Sequence, residues 1–101
     1  MNILFVCNQN KNRSKTAEQI YKKEYATKSA GLYNEKPVTK EQLAWADTVI
    51  VMEDAQRKEI SKRFPLQYMQ KRILTLNIPD VYKNGQPELI KEISEKMRTL
   101  L

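Results

Sequence analysis

Two stretches of the chain are apolar without interruption: Ile3-Leu4-Phe5-Val6, closed by Cys7, and Val49-Ile50-Val51-Met52. Short runs with no polar alternation suit strands buried on both faces, so one strand is read from Asn2 to Cys7 and another from Val49 to Met52. Arg72-Ile73-Leu74-Thr75-Leu76 reads as the last strand, and a weak one lies near Thr27 to Ser29. Between them the pattern turns helical. Ser14 to about Tyr25 carries Ala17, Ile20 and Tyr21 on one side. Thr39 with Gln42 forms a capping box for a short helix reaching about Ala46. Asp54 to Phe64 is helical and highly charged, ended by Pro65. The last helix begins at Pro87, a favoured first position, and Leu89, Ile90, Ile93, Met97 and Leu100 form its core-facing stripe. Strands alternating with helices predict an α/β domain with a parallel sheet and right-handed crossovers. No repeat, low-complexity tract or linker interrupts the 101 residues, which fit one domain spanning 1–101.

Composition narrows the class. Hydrophobic residues make up 41% of the chain, without an apolar run of about 18 residues or more, so no membrane span is expected. The apolar start Met1 to Val6 is too short for a secretory leader and reads as a strand, which points to a cytoplasmic protein. A single cysteine rules out an intramolecular disulfide and agrees with a reducing compartment. Histidine is absent, which removes Ser-His and Cys-His catalysis and most transition-metal sites; neither a metal nor another cofactor is expected. The 18 Lys and Arg against 12 Asp and Glu give a net charge of +6. The basic pairs Lys22-Lys23, Arg57-Lys58, Lys62-Arg63 and Lys71-Arg72 are scattered, so the excess reads as solvated surface and not as a nucleic-acid interface. It would speed encounter with acidic, phosphorylated partners in a salt-dependent way.

The candidate chemistry sits where the first strand becomes the first helix. Cys7 ends the strand, Arg13 and Ser14 open the helix, and Asn8-Gln9-Asn10-Lys11-Asn12 between them is polar throughout. Such a turn leaves backbone N–H groups without partners, aimed into one concavity that takes anions. A thiol at its floor lies beside the positive helix end and a guanidinium, both of which favour a sulfur anion. That sulfur can form and release a phosphoryl-thiol ester, dividing one hard displacement into two easier ones. Arg13 offers a planar fork for two phosphoryl oxygens, which a lysine cannot match. Ser14 could donate to the sulfur or merely cap the helix. Asn10, mid-loop, tolerates a left-handed backbone and can tie the loop to itself. The plain alternative, a buried inert thiol and a solvated arginine, leaves the polar loop unexplained.

Val6-Cys7-Asn8-Gln9-Asn10-Lys11-Asn12-Arg13-Ser14 resembles the phosphate-binding loop of the low-molecular-weight protein tyrosine phosphatases. The likeness continues through Thr16-Ala17-Glu18, Ser29-Ala30-Gly31, the block from Ala46 to Glu53, and Ile78-Pro79-Asp80-Val81-Tyr82, and is nearest to a short, compact branch of that family. The resemblance implies a four-stranded parallel sheet in the flavodoxin-like order 2-1-3-4 with helices on both faces. It implies a hydrolase with Cys7 as nucleophile, Arg13 as phosphate clamp, Ser14 as thiolate partner, Asn10 as loop organiser and Asp80 as general acid and base. Asn8, Gln9, Asn10, Lys11, Asn12 and Arg13 would form the phosphate-binding loop. Gln9 departs from the family's usual glycine, which puts the loop backbone at issue. Asn12 replaces a frequent second cysteine, and Lys15 replaces a common proline. Without that second thiol to trap oxidised Cys7, peroxide inactivation is expected to run to higher oxidation states.

Parallel strands place their carboxyl ends on one edge, where ligands of open α/β sheets bind, so Cys7 and Asp80 should share a rim. In the implied order one strand separates them and their anchor points lie roughly 10 Å apart. Pro79 stiffens the loop that carries the acid. Asp54, which also follows a strand, is the rival acid, while Asp47 precedes that strand and belongs at the other edge. Tyr82 is either an aromatic wall favouring aryl phosphates or a partly buried loop residue. Lys11 is the loop cation best placed to touch substrate, with a purely solvated role as the equal alternative, and Trp45 reads as packing at a helix end. The expected reaction is metal-independent hydrolysis of phosphotyrosine-like monoesters, on a phosphotyrosine protein or a small aryl phosphate, with inorganic phosphate or a related oxyanion in the loop. Alternatives are an arsenate reductase, disfavoured by the single thiol; a phosphocysteine carrier, opposed by Arg13 and Asp80; and a non-catalytic phosphate or nucleic-acid binding module.

Overall fold

A computed structural model of the chain describes residues 1–100. The elements run β1 (Asn2–Cys7), α1 (Arg13–Tyr21), β2 (Ala26–Gly31), α2 (Lys40–Trp45), β3 (Thr48–Val51), α3 (Asp54–Arg63), α4 (Pro65–Gln70), β4 (Arg72–Thr75) and α5 (Pro87–Leu100). The four strands form one sheet in the order β2-β1-β3-β4, every pair parallel, as the resemblance implied. Phe5 lies between Ser29 and Ile50 in register, and Cys7 lies opposite Gly31.

The alternation of side chains along β1, with both faces buried from Ile3 onward, explains why no polar residue follows Asn2 before the strand's end. Ile3, Phe5 and Cys7 face one way, into a core completed by Ala17 of α1 and by Leu89, Ile93 and Met97 of α5. Leu4 and Val6 face the other way, against Leu43 of α2 and Ile60 of α3. Burying each large side chain stabilises the fold by about 1.5–3 kcal/mol, so both faces of β1 anchor the residue at its tip. Trp45 packs partly buried on the second face with the Lys28 ammonium 4.4 Å from its ring centre, which fits its reading as packing. Asp47 lies at the amino edge of the sheet, where its carboxylate accepts from Asn2 N at 2.8 Å.

Several boundaries differ from the sequence reading. The first helix stops at Tyr21 rather than near Tyr25, because residues 22–25 close a turn in which Glu24 N and Tyr25 N both donate to Tyr21 O at 3.0 Å. Pro65 ends α3 but also opens α4, whose missing N–H suits a first helical position. That helix buries no residue and exposes Leu66 and Met69, so no apolar stripe announces it. The buried stripe of α5 is Leu89, Ile93 and Met97, and Ile90, 38% exposed, stands at its margin. Met52 lies just past β3, yet remains buried, with its N–H on Val6 O at 3.2 Å. Among the described residues no helix is long and apolar enough to cross a membrane.

Candidate active site

The loop leaving β1 is held from three sides. Leu32 N donates to Cys7 O and to Asn8 O at 3.1 and 2.9 Å, and Tyr33 N donates to Asn8 O at 2.8 Å. From α3, the buried Gln56 reaches Asn8 Oδ1 with its amide nitrogen at 3.2 Å, while its oxygen accepts from Met52 N and Glu53 N. The left-handed residue of the loop is Asn10, at φ 53°; with Asn77 it makes up the non-glycine residues of positive φ among those described. Gln9 is therefore not asked for glycine's conformation. Gly31, at the end of β2, passes so close that a Cβ there would lie 2.9 Å from Asn10 N.

Cys7 is buried at the floor, and its Sγ lies 2.9 Å from Ser14 Oγ. Ser14 Oγ also lies 2.7 Å from Asn10 Oδ1, and the Asn10 amide nitrogen reaches Ser29 O at 3.4 Å. A hydroxyl has one hydrogen, so Ser14 can donate to Asn10 while a thiol donates to it, or turn that hydrogen onto a thiolate. The helix cap is Asn12, not Ser14.

Arg13 is 1% exposed, which a guanidinium tolerates only when partnered. Its Nη1 donates to Glu53 and, at 2.7 Å, to Ile78 O. Those bonds pin one end of the planar group. Nε is buried without a hydrogen-bond partner among the described residues, 3.7 Å from Asp80 Oδ1. A cavity of about 80 Å³ is lined by Cys7, Gln9, Lys11, Asn12, Arg13 and Asp80. Sites for drug-sized molecules run to about 300–1,000 Å³, so this one suits a small anion. It faces that anion with a sulfur, an unpaired N–H of a cation, and a carboxyl.

The rival acid lies elsewhere: Asp54 pairs with Arg57 and Lys58 and lines a separate depression with Glu53, Ala55, Asn77 and Pro79. Tyr82 packs partly buried against the α1–α5 side of the core and is not among the residues lining the Cys7 cavity. Among the described residues no group of three or more His, Cys, Asp or Glu could hold a metal ion. Glu53 and Gln56 were missed by sequence reasoning. Glu53 follows a buried strand at the carboxyl edge, the signal that brought Asp54 into consideration, and one residue earlier in that segment was the partner of Arg13.

No family model matches the sequence, and no curated protein matches it. Solved structures match over nearly its whole length. The tyrosine phosphatase Wzb from Escherichia coli K30 in complex with phosphate matches with a TM-score of 0.80 at 16% identity, over 98% of this chain and 94% of that one. A low molecular weight protein tyrosine phosphatase from T. tengcongensis matches at 0.75 and 21%, over 100% and 99%. A YwlE arginine phosphatase with a phosphorylated active-site serine matches at 0.77 and 23%, over 99% and 93%. The fold is thus shared with these phosphatases from one end to the other.

Proposed function

We propose that this chain, which has the fold of the low-molecular-weight protein tyrosine phosphatases, is a member of that family. It is a metal-independent hydrolase of phosphotyrosine-like aryl phosphate monoesters, working through a phosphocysteine. The observation that carries this reading is the small cavity in which the Cys7 sulfur, the unpartnered Arg13 Nε and the Asp80 carboxyl meet. In the first step the sulfur attacks phosphorus in line, and the S–P bond forms as the P–O bond breaks. Arg13 and the loop N–H groups stabilise the equatorial oxygens while Asp80 gives its proton to the leaving phenoxide. In the second step Asp80 takes a proton from water, whose oxygen displaces sulfur and releases inorganic phosphate. Ser14, 2.9 Å from the sulfur, stabilises the departing thiolate.

The phosphorylated active-site serine of the YwlE arginine phosphatase supports a covalent phosphoryl intermediate on this fold. Lys11 on the cavity wall sets an ammonium beside the substrate, which favours a neutral ring over the guanidinium of a phosphoarginine. Val81, exposed and next to the acid, would supply apolar contact for that ring. The substrate is then a phosphotyrosine protein or a small aryl phosphate in a reducing, cytoplasmic setting. Incubation with para-nitrophenyl phosphate and a metal chelator should release phosphate, vanadate should block the release, and thiol alkylation or Cys7→Ser should abolish it with the melting temperature retained. Absence of turnover in the unaltered protein, or turnover that survives Cys7→Ser, would refute the proposal.

A further inference from the structure

Asp80 is 54% exposed and sits in a segment, residues 76–86, that has neither helix nor strand. Before Asp80 the segment is tied to the sheet, with Leu76 N on Val51 O and Ile78 N on Met52 O. After it the chain makes a turn from Lys83 to Gln86, closed by Gln86 N on Lys83 O at 3.0 Å, with Gly85 at φ 76° in its third position. That angle is what a turn of this kind asks of its third residue, and glycine meets it without strain. The turn aims two successive N–H groups at the first turn of α1. Asn84 N donates to Asn12 Oδ1 and Gly85 N donates to Thr16 Oγ1, each at 3.0 Å. The Thr16 hydroxyl, buried, lies 2.7 Å from Asn12 O and 3.0 Å from Asn84 Oδ1.

We propose that Asn12 and Thr16 are positioning residues that hold Asp80 over Cys7 by fastening the Asn84-Gly85 turn to the start of α1. The inference rests on the reading of Asp80 as the general acid. A general acid works only within hydrogen-bond reach of the leaving oxygen. Beyond Asp80 the segment's other hold is Tyr82, partly buried against the core, and without the Asn84-Gly85 fastening the carboxyl would spread over more positions, fewer of them productive. The same contacts account for Asn12, which stands where the resemblance places a cysteine: a thiol is a weak acceptor and would hold the turn poorly.

The test compares phenyl phosphate, whose leaving group needs a proton, with para-nitrophenyl phosphate, whose leaving group needs it less. Thr16→Val keeps the shape and removes the hydroxyl. It should lower kcat/KM, which reports the steps up to loss of the phenol and not the shared hydrolysis of the phosphocysteine, by about tenfold or more on phenyl phosphate, a share of the 10²–10⁴-fold that general acids contribute. On para-nitrophenyl phosphate the loss should stay under about threefold, and vanadate inhibition should be unchanged because the cradle is intact. Thr16→Ser should recover most of the loss. Asp80→Asn serves as the reference and should show the same selectivity, more strongly. If Asp80→Asn is selective and Thr16→Val slows both substrates equally or neither, the positioning role is overturned while the acid stands. If Asp80→Asn itself slows both equally, the acid assignment falls and the positioning role falls with it. Should Thr16→Val fail to fold, Asn84→Ala, which removes the side-chain oxygen that accepts from the Thr16 hydroxyl and lies outside the cradle, carries the same comparison.

Discussion

Gly31→Ala tests how firmly the phosphate cradle is wedged against its neighbour strand. Gly31 has no unusual backbone angle, so the substitution adds no φ strain and acts through space alone. Its new methyl would lie 2.8 Å from Asn34 Oδ1, 2.9 Å from Asn34 Cγ and 2.9 Å from Asn10 N, where ordinary Cβ contacts begin at 3.4 Å. Something must move by about half an ångström. The Asn34 side chain can swing aside; Asn10 N is backbone and cannot shift without carrying the left-handed residue whose amide meets Ser14. Overpacking of this kind costs about 1–3 kcal/mol, which for a domain of this size lowers the melting temperature by roughly 4–20 °C. Misplacement of catalytic groups by up to ~1 Å costs as much as ~10²-fold in rate, so kcat/KM on para-nitrophenyl phosphate should fall by about 10- to 100-fold. Adding Asn34→Ala should restore part of the stability and little of the activity, since the clash with Asn10 persists. An alanine variant within about twofold of the parent rate, with an unchanged melting temperature, would show that the loop does not rest on β2 as described.

Glu53→Ala should weaken vanadate inhibition and kcat/KM by about 10- to 100-fold, the equivalent of one charged hydrogen bond, by freeing Arg13 to turn. Glu53→Gln should retain more, because its amide oxygen still accepts from Nη1; equal losses in both would count against an orienting role. Peroxide should inactivate the protein irreversibly, with Cys7 recovered as sulfinic or sulfonic acid by mass spectrometry and activity not restored by dithiothreitol. Complete recovery with that reagent alone would contradict the prediction. Burial raises the Tyr21 phenol above its ordinary value, with a Ser94 hydrogen bond opposing. The folded state thus favours the neutral ring, and the stability this confers is present below about pH 10 and lost as pH rises past it. The urea midpoint of the parent should accordingly fall more steeply above about pH 10 than that of Tyr21→Phe; parallel curves would remove Tyr21 as the cause.

The elements that bury both faces were legible because burial leaves a local mark. Ile3 to Val6 and Val49 to Met52 name their own strands, and the box of Thr39 and Gln42 names its helix, with both of its bonds formed. What escaped had no such mark. The helix from Pro65 to Gln70 packs too little of itself to show a stripe, and the end of α1 near Tyr21 is set by a turn whose residues still keep Tyr21 and Tyr25 ring to ring at 6.3 Å. Cys7, Arg13 and Ser14 could be grouped from spacing, since one strand-to-helix turn brings them together. The Glu53 partner of Arg13 comes from forty residues away, and the Thr16 contacts of Asn84 and Gly85 from farther still. Long-range pairing of polar groups follows from strand order and not from local pattern. The order 2-1-3-4 came from the family resemblance alone.

The strand that ends in the sulfur is an inner one, flanked by β2 on one side and by β3 on the other. Its two neighbours are supplied by chain that follows it, the second not until Thr48. The reactive strand is therefore made before either of its walls, and no piece ending before β3 holds a sealed pocket. Reactivity here is a property acquired only when almost the whole polypeptide has come together.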